Sequence, residues 1–308
     1  MDKPRPCGCK GRRTCLICEK SHGLENKVFD LSEENGTFVY CPMCNCAWPG
    51  WNLNDWQVHP NHSGVPLSYP GIYIGLDFLS EEEEQRLIKN IDNLPWDLSQ
   101  SGRRKQNFGP KCNFKKRRLR LGDFRGFPKF SQFVQEKFKD VPVLKGFQTI
   151  EQCSLEYNPD RGASIDPHID DCWIWGERIV TVNLLSDSML TMTYNKKLDK
   201  YNLNCIDNYP AVLDSNGKIN VDGECYKLTS CDNNQPIVRI PMPNRSLLVM
   251  YGPARYYWEH QVLREDIACR RVCLAYREFT PPYLPSGEKF EEGRPILNKA
   301  SEFLTNYN

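Results

Sequence analysis

The segment His168-Ile169-Asp170 and the distant His260 constrain this chain most, because the fold must bring them together if they share a ligand. These three side chains (the triad) are a 2-His-1-carboxylate set, which holds a non-haem Fe(II) and leaves coordination positions open. Alternate side chains of an extended segment point the same way, so His168 and Asp170 can face one metal. A His-x-Asp pair alone is as easily a chance surface pair. The prediction of an iron site therefore depends on the residues that come after His260 in the chain.

Two arginines come after His260 on one predicted strand. In residues 271–277, period-two alternation places Arg271 and Arg277 on one face, separated by the small side chains of Cys273 and Ala275. Arginine binds a carboxylate through two parallel hydrogen bonds, so this face suits a narrow anion-binding cavity. The strand pattern alone is also compatible with a solvent-facing surface that carries two unrelated arginines. With the triad, the pattern indicates an oxygenase that holds a dicarboxylate co-substrate against iron.

This order of motifs resembles the AlkB family of Fe(II)/2-oxoglutarate dioxygenases over about residues 71–279. Several longer segments are similar to one branch of that family, AlkB homologue four; they are residues 7–18, 98–106, 109–111, 151–153, 166–168, 175–178 and 245–249. The resemblance implies a mainly β fold with flanking helices. Its catalytic core would be a double-stranded β-helix (a jelly-roll), and a small Cys-rich N-terminal module would precede it.

The resemblance also implies a role for each matching residue. The triad would bind Fe(II), and Arg271 would bind the distal carboxylate of 2-oxoglutarate with help from Tyr157. Arg277 would lie near the carboxylate that chelates the metal. The implied reaction consumes O2 and 2-oxoglutarate, hydroxylates an N-methyl group and releases formaldehyde.

Four positions depart from the pattern of the family's DNA-repair enzymes, and two of them, Cys273 and Ala275, replace the asparagine and threonine of the last strand. Leu155 stands where an asparagine helps to bind 2-oxoglutarate, and Cys172 stands where a second carboxylate contacts an alkylated base. Cys172 argues against ordinary base repair. The branch implies a methyl-lysine protein substrate, namely actin, with N6-methyladenine in DNA as a competing substrate. The alternative is a zinc-containing binding module that keeps a vestigial dioxygenase fold.

Composition limits the remaining possibilities. The 308 residues have a net charge of +1 and 26% charged residues, which is ordinary for a globular protein without a general attraction to polyanions. The sequence contains no apolar stretch of membrane-spanning length and no apolar signal core, so we expect no membrane partner. Fifteen cysteines then indicate a reducing compartment, and we expect the cytoplasm and nucleus. Nothing in the sequence indicates the oligomeric state.

We predict four regions along the chain. They are a Cys-rich module and linker (1–66), a helix with a basic substrate lid (67–145), the dioxygenase core with a polar insertion at 195–235 (146–280), and a C-terminal tail (281–308). A capping box of Ser80 and Glu83 predicts a helix through about Ile91. A second helix is expected in the tail, near residues 297–304.

Cysteines are concentrated in the first 46 residues. Thiolates a few residues apart can share a tetrahedral zinc, so we predict a structural Zn(II) bound by Cys7, Cys9, Cys15 and Cys18. A thiol-rich tail without metal is the alternative, and an iron–sulfur cluster is a minor third possibility. A second group, whose role the sequence leaves open, contains Cys41, Cys44 and Cys46, with His59 and His62 further along the chain.

Residues 101–120 contain nine lysines or arginines and no acid. In the family this position is the substrate lid, so the resemblance implies that the lid contains Arg103, Arg104, Lys105 and Lys111. Basic residues interleaved with Phe108 and Phe114 suit a phosphate backbone with stacked bases, and they suit an acidic protein surface equally well. A solvated basic hairpin is the third possibility.

Overall fold

The computed structural model describes residues 4–25, 31, 36–196, 201, 203–214, 216–221, 223–225 and 235–307. The helices are α1 (Leu16–His22), α2 (Glu81–Asp92), α3 (Gln132–Lys137), α4 (Gly252–Tyr256) and α5 (Phe290–Lys299). The strands before the core are β1 (Thr37–Cys41), β2 (Cys46–Pro49), β3 (Leu67–Ser68), β4 (Ile72–Gly75), β5 (Asp97–Leu98), β6 (Arg104–Phe108), β7 (Lys111–Asn113), β8 (Arg118–Arg120) and β9 (Phe127–Pro128). The later strands are β10 (Glu151–Tyr157), β11 (Ile165–His168), β12 (Trp175–Leu184), β13 (Ser188–Tyr194), β14 (Ile237–Met242), β15 (Leu247–Met250), β16 (Trp258–Val262), β17 (Arg271–Phe279) and β18 (Phe303–Leu304).

Strands β10 to β17 form the expected jelly-roll. The major sheet has the order β4-β15-β12-β17-β10-β6-β5, and the minor sheet has the order β11-β16-β13-β14-β1-β2-β3. Each sheet therefore receives four of these eight strands, and their pairings are antiparallel. This strand order confirms the predicted double-stranded β-helix.

The alternation on β17 assigns its side chains to two layers. Val272, Leu274 and Tyr276 pack with Leu87 of α2 in a cluster on one face of the major sheet, whereas Cys273 belongs to the cluster between the sheets. Both faces are covered, so most residues of this strand are buried. The arginines on this strand consequently lie in a low-dielectric interior rather than at a solvent face.

The predicted capping box starts α2. The hydroxyl of Ser80 accepts a hydrogen bond from the backbone N–H of Glu83 (3.2 Å), whose carboxylate accepts one from the Ser80 N–H (2.9 Å). Among the described residues, no helix has the length and apolar character needed to span a bilayer.

The predicted boundary at residue 66 does not separate two folding units. Strand β1 pairs in parallel with β14, and Thr37 lies opposite Ile237, so β1, β2 and β3 extend the minor sheet of the core. Pairing between segments so far apart in sequence leaves no local pattern. Much of the predicted linker between Lys20 and Thr37, residues 26–30 and 32–35, lies outside the described residues.

The insertion at 195–235 connects β13 to β14, as predicted, although several of its residues lie outside the described part of the chain. Its Leu203 and Ile206 pack against Ile169 and Cys172, and thus against the segment that carries Asp170. The tail contains a helix, as predicted, but it begins and ends earlier than residues 297–304. Helix α5 ends at Lys299, because Phe303–Leu304 instead extends to pair with β9.

Candidate active site

The triad assembles on two paired strands of the minor sheet. His168 ends β11 and lies directly opposite His260 on β16, with their ring centroids 4.2 Å apart. Asp170 comes two residues later, and its Oδ1 lies 3.7 Å from His168 Nε2. One potential ligand atom from each residue lies within 4.8 Å of the others. The three groups therefore face one point, as a shared metal requires.

Hydrogen bonding and burial leave all three groups in the forms that bind a metal. The Nδ1–H of His168 donates to the carbonyl of Asp166 (2.9 Å), which leaves Nε2 available. Burial lowers the pKa of His168 and, together with the neighbouring His168, lowers that of His260 further, so both rings are neutral at physiological pH. Burial alone would raise the pKa of Asp170, but the Arg277 guanidinium holds it well below its usual range.

Arg277 links Asp170 to a second carboxylate that the sequence did not indicate. Its Nε donates to Asp170 Oδ2 (2.8 Å), and its Nη1 donates to Glu151 Oε2 (2.6 Å). Burial raises the pKa of Glu151, although Arg277 opposes the shift. Glu151 faces Arg277 because β10 and β17 pair with these residues in register. Arg277 therefore lies beside the triad, in direct contact with Asp170.

A buried arginine outside the motifs positions the Asp170 segment. The Nη2 of Arg255, a residue only 1% exposed, donates to the backbone carbonyl of Asp170 (2.8 Å). Arg255 belongs to the short helix α4. The sequence offered no signal for this role beyond a turn between two predicted strands.

Arg271 lies in a separate, fully buried pocket. Its Nε donates to Asn183 Oδ1 (2.6 Å), and its guanidinium carbon lies 4.8 Å from the ring centre of Tyr157. The side-chain amide of Asn183 is held by the carbonyls of Ser186 (2.8 Å) and Met242 (2.7 Å), so it fixes the plane of the guanidinium.

Among the described residues, Arg271 Nη1 has no hydrogen-bond partner. A buried donor without a partner costs about 1–3 kcal/mol, and a carboxylate would supply the missing acceptor. The pocket thus fits one end of a dicarboxylate. No sequence pattern indicated Asn183, on β12, because it meets Arg271 only through the pairing of β12 with β17.

The predicted lid residues divide between two faces. Arg103 lies with its guanidinium carbon 5.9 Å from the ring centre of Tyr157. Lys105 is opposite Leu155, near enough to Glu151 to act on its pKa. Arg104 points the other way and pairs with Glu156, which also binds Arg270. The structure therefore separates Arg103 and Lys105, near Tyr157 and Glu151, from Arg104, which is already engaged in an ion pair.

The β7–β8 hairpin carries the rest of the basic segment. Lys111 pairs with Asp123 at the surface. Phe114, at the hairpin tip, lies 6.4 Å from the ring of Trp175, whose indole also lies 5.6 Å from the guanidinium carbon of Arg277. The hairpin tip is thus close to the side chains around the triad, whereas most of its cations are exposed.

The N-terminal cysteines come together as predicted. Cys7, Cys9, Cys15 and Cys18 are buried, with their sulfur atoms within 4.8 Å of one another. Cys46 was grouped with Cys41 and Cys44 in the sequence, but the structure instead brings Cys41 and Cys44 to His59 and His62. None of the cysteines whose side chains the structure describes forms a disulfide.

A jelly-roll with an assembled 2-His-1-carboxylate triad and a separate buried arginine defines the class of 2-oxoglutarate-dependent iron dioxygenases. The chain is 39% identical over 299 residues to human "Alpha-ketoglutarate-dependent dioxygenase alkB homolog 4", covering 97% of this chain and 94% of that protein. It is 38% identical to the mouse protein of the same name, and the match covers 96% of this chain and 94% of that protein. A Caenorhabditis elegans protein named "DNA N6-methyl adenine demethylase" is 32% identical (93% and 91% covered).

The chain therefore belongs to the AlkB family of 2-oxoglutarate-dependent dioxygenases, in agreement with the predicted resemblance. Such enzymes use Fe(II) and 2-oxoglutarate, and the triad has the donor set that Fe(II) requires. A search of protein-family models found no match. A solved structure of OsALKBH1 is similar with a TM-score of 0.43 and 11% identity, covering 68% of this chain and 97% of that one. The strand order, rather than that likeness, establishes the fold.

Proposed function

We propose that the enzyme removes N-methyl groups oxidatively, with a methylated lysine of a protein as its substrate. The observation that carries the proposal is the assembled triad, with Asp170 and His260 buried and His168 partly buried, next to Arg277 and separate from the Arg271 pocket. When bound, iron and 2-oxoglutarate supply the oxidation by O2 that hydroxylates an N-methyl group, which then leaves as formaldehyde.

The side chains of the protein divide the remaining work. The unpartnered Nη1 of Arg271 would bind the distal carboxylate of 2-oxoglutarate, and Asn183 would hold the guanidinium in that orientation. Arg277 keeps Asp170 ionised and orients it toward the histidines. The surrounding burial excludes water, which strengthens each of these charge interactions.

Two features support a protein substrate. Cys172 is 1% exposed, and its sulfur lies 3.4 Å from the carbonyl of Asp170, so this position carries no carboxylate for an alkylated base. The exposed cations of the β7–β8 hairpin suit an acidic protein surface. Actin with a methylated lysine, implied by the resemblance to AlkB homologue four, is the partner we propose.

Methylated DNA is the second candidate. The nematode relative is named as a demethylase of N6-methyladenine in DNA, and the same exposed cations would also suit a phosphate backbone. The alternative of a vestigial fold loses its support, since every triad ligand is present and assembled.

Mass spectrometry can decide between the two substrates. A methyl-lysine actin peptide and a methyladenine oligonucleotide would each be incubated with the enzyme, Fe(II) and 2-oxoglutarate. We expect the peptide to lose its methyl group as formaldehyde and succinate form. Demethylation of the oligonucleotide alone would replace the protein proposal with the DNA proposal.

Variants of neighbouring carboxylates provide the control. Asp170→Ala should abolish succinate formation, because it removes a metal ligand, whereas Asp171→Asn changes an adjacent acid outside the triad and should retain it. Normal succinate release by Asp170→Ala would refute the iron assignment itself, whichever substrate is used.

We further infer that Cys7, Cys9, Cys15 and Cys18 bind a structural Zn(II). Four buried sulfur atoms facing one another are the donor set of a closed zinc site. The surrounding segment packs beside the triad. Glu19 of α1 pairs with Arg264 (2.7 Å), and Arg13 lies 3.5 Å from Asp166, whose carbonyl orients His168.

A further inference from the structure

The edge of the minor sheet contains a second group of metal-binding side chains, far from the triad in sequence. Cys41, Cys44, His59 and His62 (the hairpin cluster) each place one ligand atom within 4.8 Å of the other three. Neither the proposed dioxygenase chemistry nor the four-cysteine site uses these residues.

Local turns bring the four side chains together. Cys41 ends β1, and the backbone N–H of Asn45, which has a φ of 56°, donates to the Cys41 carbonyl (2.9 Å). This tight β1–β2 turn places Cys44 next to Cys41. The histidines come after a 3-10 turn at Asp55–Val58, and a bond from the Asn61 N–H to the Val58 carbonyl (2.8 Å) returns His62 toward His59.

The histidine nitrogens lack the partners that buried polar atoms normally have. Within the described part of the chain, His59 Nδ1 and His62 Nε2 are buried and have no hydrogen-bond partner. Each such atom costs about 1–3 kcal/mol when it is left unsatisfied. A metal ion bound to the nitrogen lone pairs would remove this cost. The two orphan atoms therefore point to a ligand independently of the cysteines.

Neighbouring groups hold the cluster in place. The indole N–H of Trp48 donates to Cys44 Sγ (3.3 Å), and the same indole stacks on His62 with centroids 4.7 Å apart and an interplanar angle of 14°. Hydrogen bonds that orient metal ligands in this way are a regular part of metal sites. Cys46 is only two residues from Cys44, yet it is absent from the cluster.

We propose that the hairpin cluster binds one Zn(II) through two sulfur and two nitrogen ligands. A tetrahedral zinc with these donors needs ligand atoms about 3.3–3.8 Å apart, from the usual Zn–S and Zn–N lengths. The ligand atoms of the cluster all lie within 4.8 Å of one another, close to these separations. Two thiolates and two imidazoles favour zinc over the oxygen-preferring magnesium and calcium.

The spacing distinguishes this site from a helical zinc finger. The pair Cys41-x2-Cys44 has the usual spacing, but His59-x2-His62 is shorter than the usual x3–5 and lies in a loop. All four positions would be filled by protein, so the site would be structural. It would join the β1–β2 hairpin to the segment before β3, and so stabilise the outer edge of the minor sheet.

Metal content measured on the full-length protein tests the proposal. The protein would be purified from zinc-supplemented medium, and zinc per chain would be measured by plasma mass spectrometry. We expect two zinc ions for the unchanged protein, and one each for Cys44→Ser and His62→Ala. Cys46→Ser is the matched control and should retain both ions. Cys9→Ser should lose the other ion, which distinguishes failure of the four-cysteine site from failure of this one.

Cobalt substitution keeps the test informative if a variant fails to fold. Co(II) bound to two sulfurs and two nitrogens absorbs differently from Co(II) bound to four sulfurs, so Cys9→Ser loaded with Co(II) should show only the mixed spectrum. Unchanged zinc content in Cys44→Ser and His62→Ala, or the absence of a mixed-ligand spectrum from Cys9→Ser, would overturn the proposal. Loss of a zinc ion in Cys46→Ser would show that the assigned ligand set is wrong.

Discussion

Replacing Arg271 with lysine tests whether the buried pocket holds the distal carboxylate of 2-oxoglutarate. Arg271 is 1% exposed and donates through its Nε to Asn183 and through its Nη2 only to the weak acceptor Met242 Sδ (3.4 Å), so Nη1 and Nη2 would bind the co-substrate once a carboxylate displaces that sulfur contact. Lysine keeps the charge but cannot present a planar pair of donors. The variant should therefore lose one of two charge-assisted hydrogen bonds to the carboxylate.

One such bond contributes about 1.5–3 kcal/mol. Taking about 2 kcal/mol, we expect Arg271→Lys to bind 2-oxoglutarate about 30-fold more weakly. Isothermal titration of anaerobic protein with Mn(II) in place of Fe(II) would measure the dissociation constant without turnover. Metal affinity should stay nearly unchanged, because Arg271 contacts none of the triad residues.

Arg270 provides a matched control on the adjacent position. Its guanidinium pairs with Glu156 (2.7 Å) and Asp92 (2.6 Å), outside the pocket. Arg270→Lys should leave the affinity for 2-oxoglutarate nearly unchanged. An unchanged dissociation constant in Arg271→Lys, or an equal loss in Arg270→Lys, would refute the assignment of the pocket. Urea denaturation of both variants would show whether a general loss of stability explains the result.

Three further predictions concern the lid, a buried acid and the N-terminal zinc. The double variant Arg103→Glu/Lys105→Glu should raise KM for the methylated substrate about tenfold without slowing uncoupled succinate formation, because two attractive charges become repulsive. Arg104→Glu should mainly lower the stability of the protein, with little effect on KM. If folded Arg104→Glu raised KM as much as the double variant does, the assignment of Arg104 to the opposite face from Arg103 and Lys105 would be wrong. Burial raises the pKa of Glu177 to about 7 from an unfolded value near 4.5. The carboxyl then ionises at lower pH in the unfolded state, so the free energy of unfolding should fall between about pH 4.5 and 7. At pH 8, Glu177→Gln should raise the free energy of unfolding by up to about 3 kcal/mol, measured by urea denaturation. A variant with the same pH profile as the unchanged protein would disprove this. Cys9→Ser should speed tryptic cleavage near the N-terminus at least about tenfold, since structural zinc contributes about 10–16 kcal/mol of apparent binding energy; an unchanged cleavage rate would argue against a structural metal there.

Patterns that depend only on residues close together in sequence could be interpreted without knowledge of the tertiary structure. The His168-x-Asp170 spacing, the alternation on β17 and the capping box at Ser80 are each determined by backbone geometry within a few residues. The spacing of the four N-terminal cysteines belongs to the same kind of pattern. Resemblance to a family then extended these local patterns to an expected jelly-roll, which the strand order confirms.

Contacts between strands could not be obtained in this way. Asn183 meets Arg271, and Glu151 meets Arg277, only because β12 and β10 flank β17 in a particular register. The same limit explains why Cys46 was grouped with Cys44 in the sequence, whereas the chain turns back to bring the two histidines there instead. The sequence alone predicted the triad and the two arginines, because His168 with Asp170, and Arg271 with Arg277, follow the local period of a strand. Tertiary structure decided which groups orient the triad and the arginines, and which cysteines share a candidate metal site. These partners are set by strand register and by chain reversal between residues far apart in sequence.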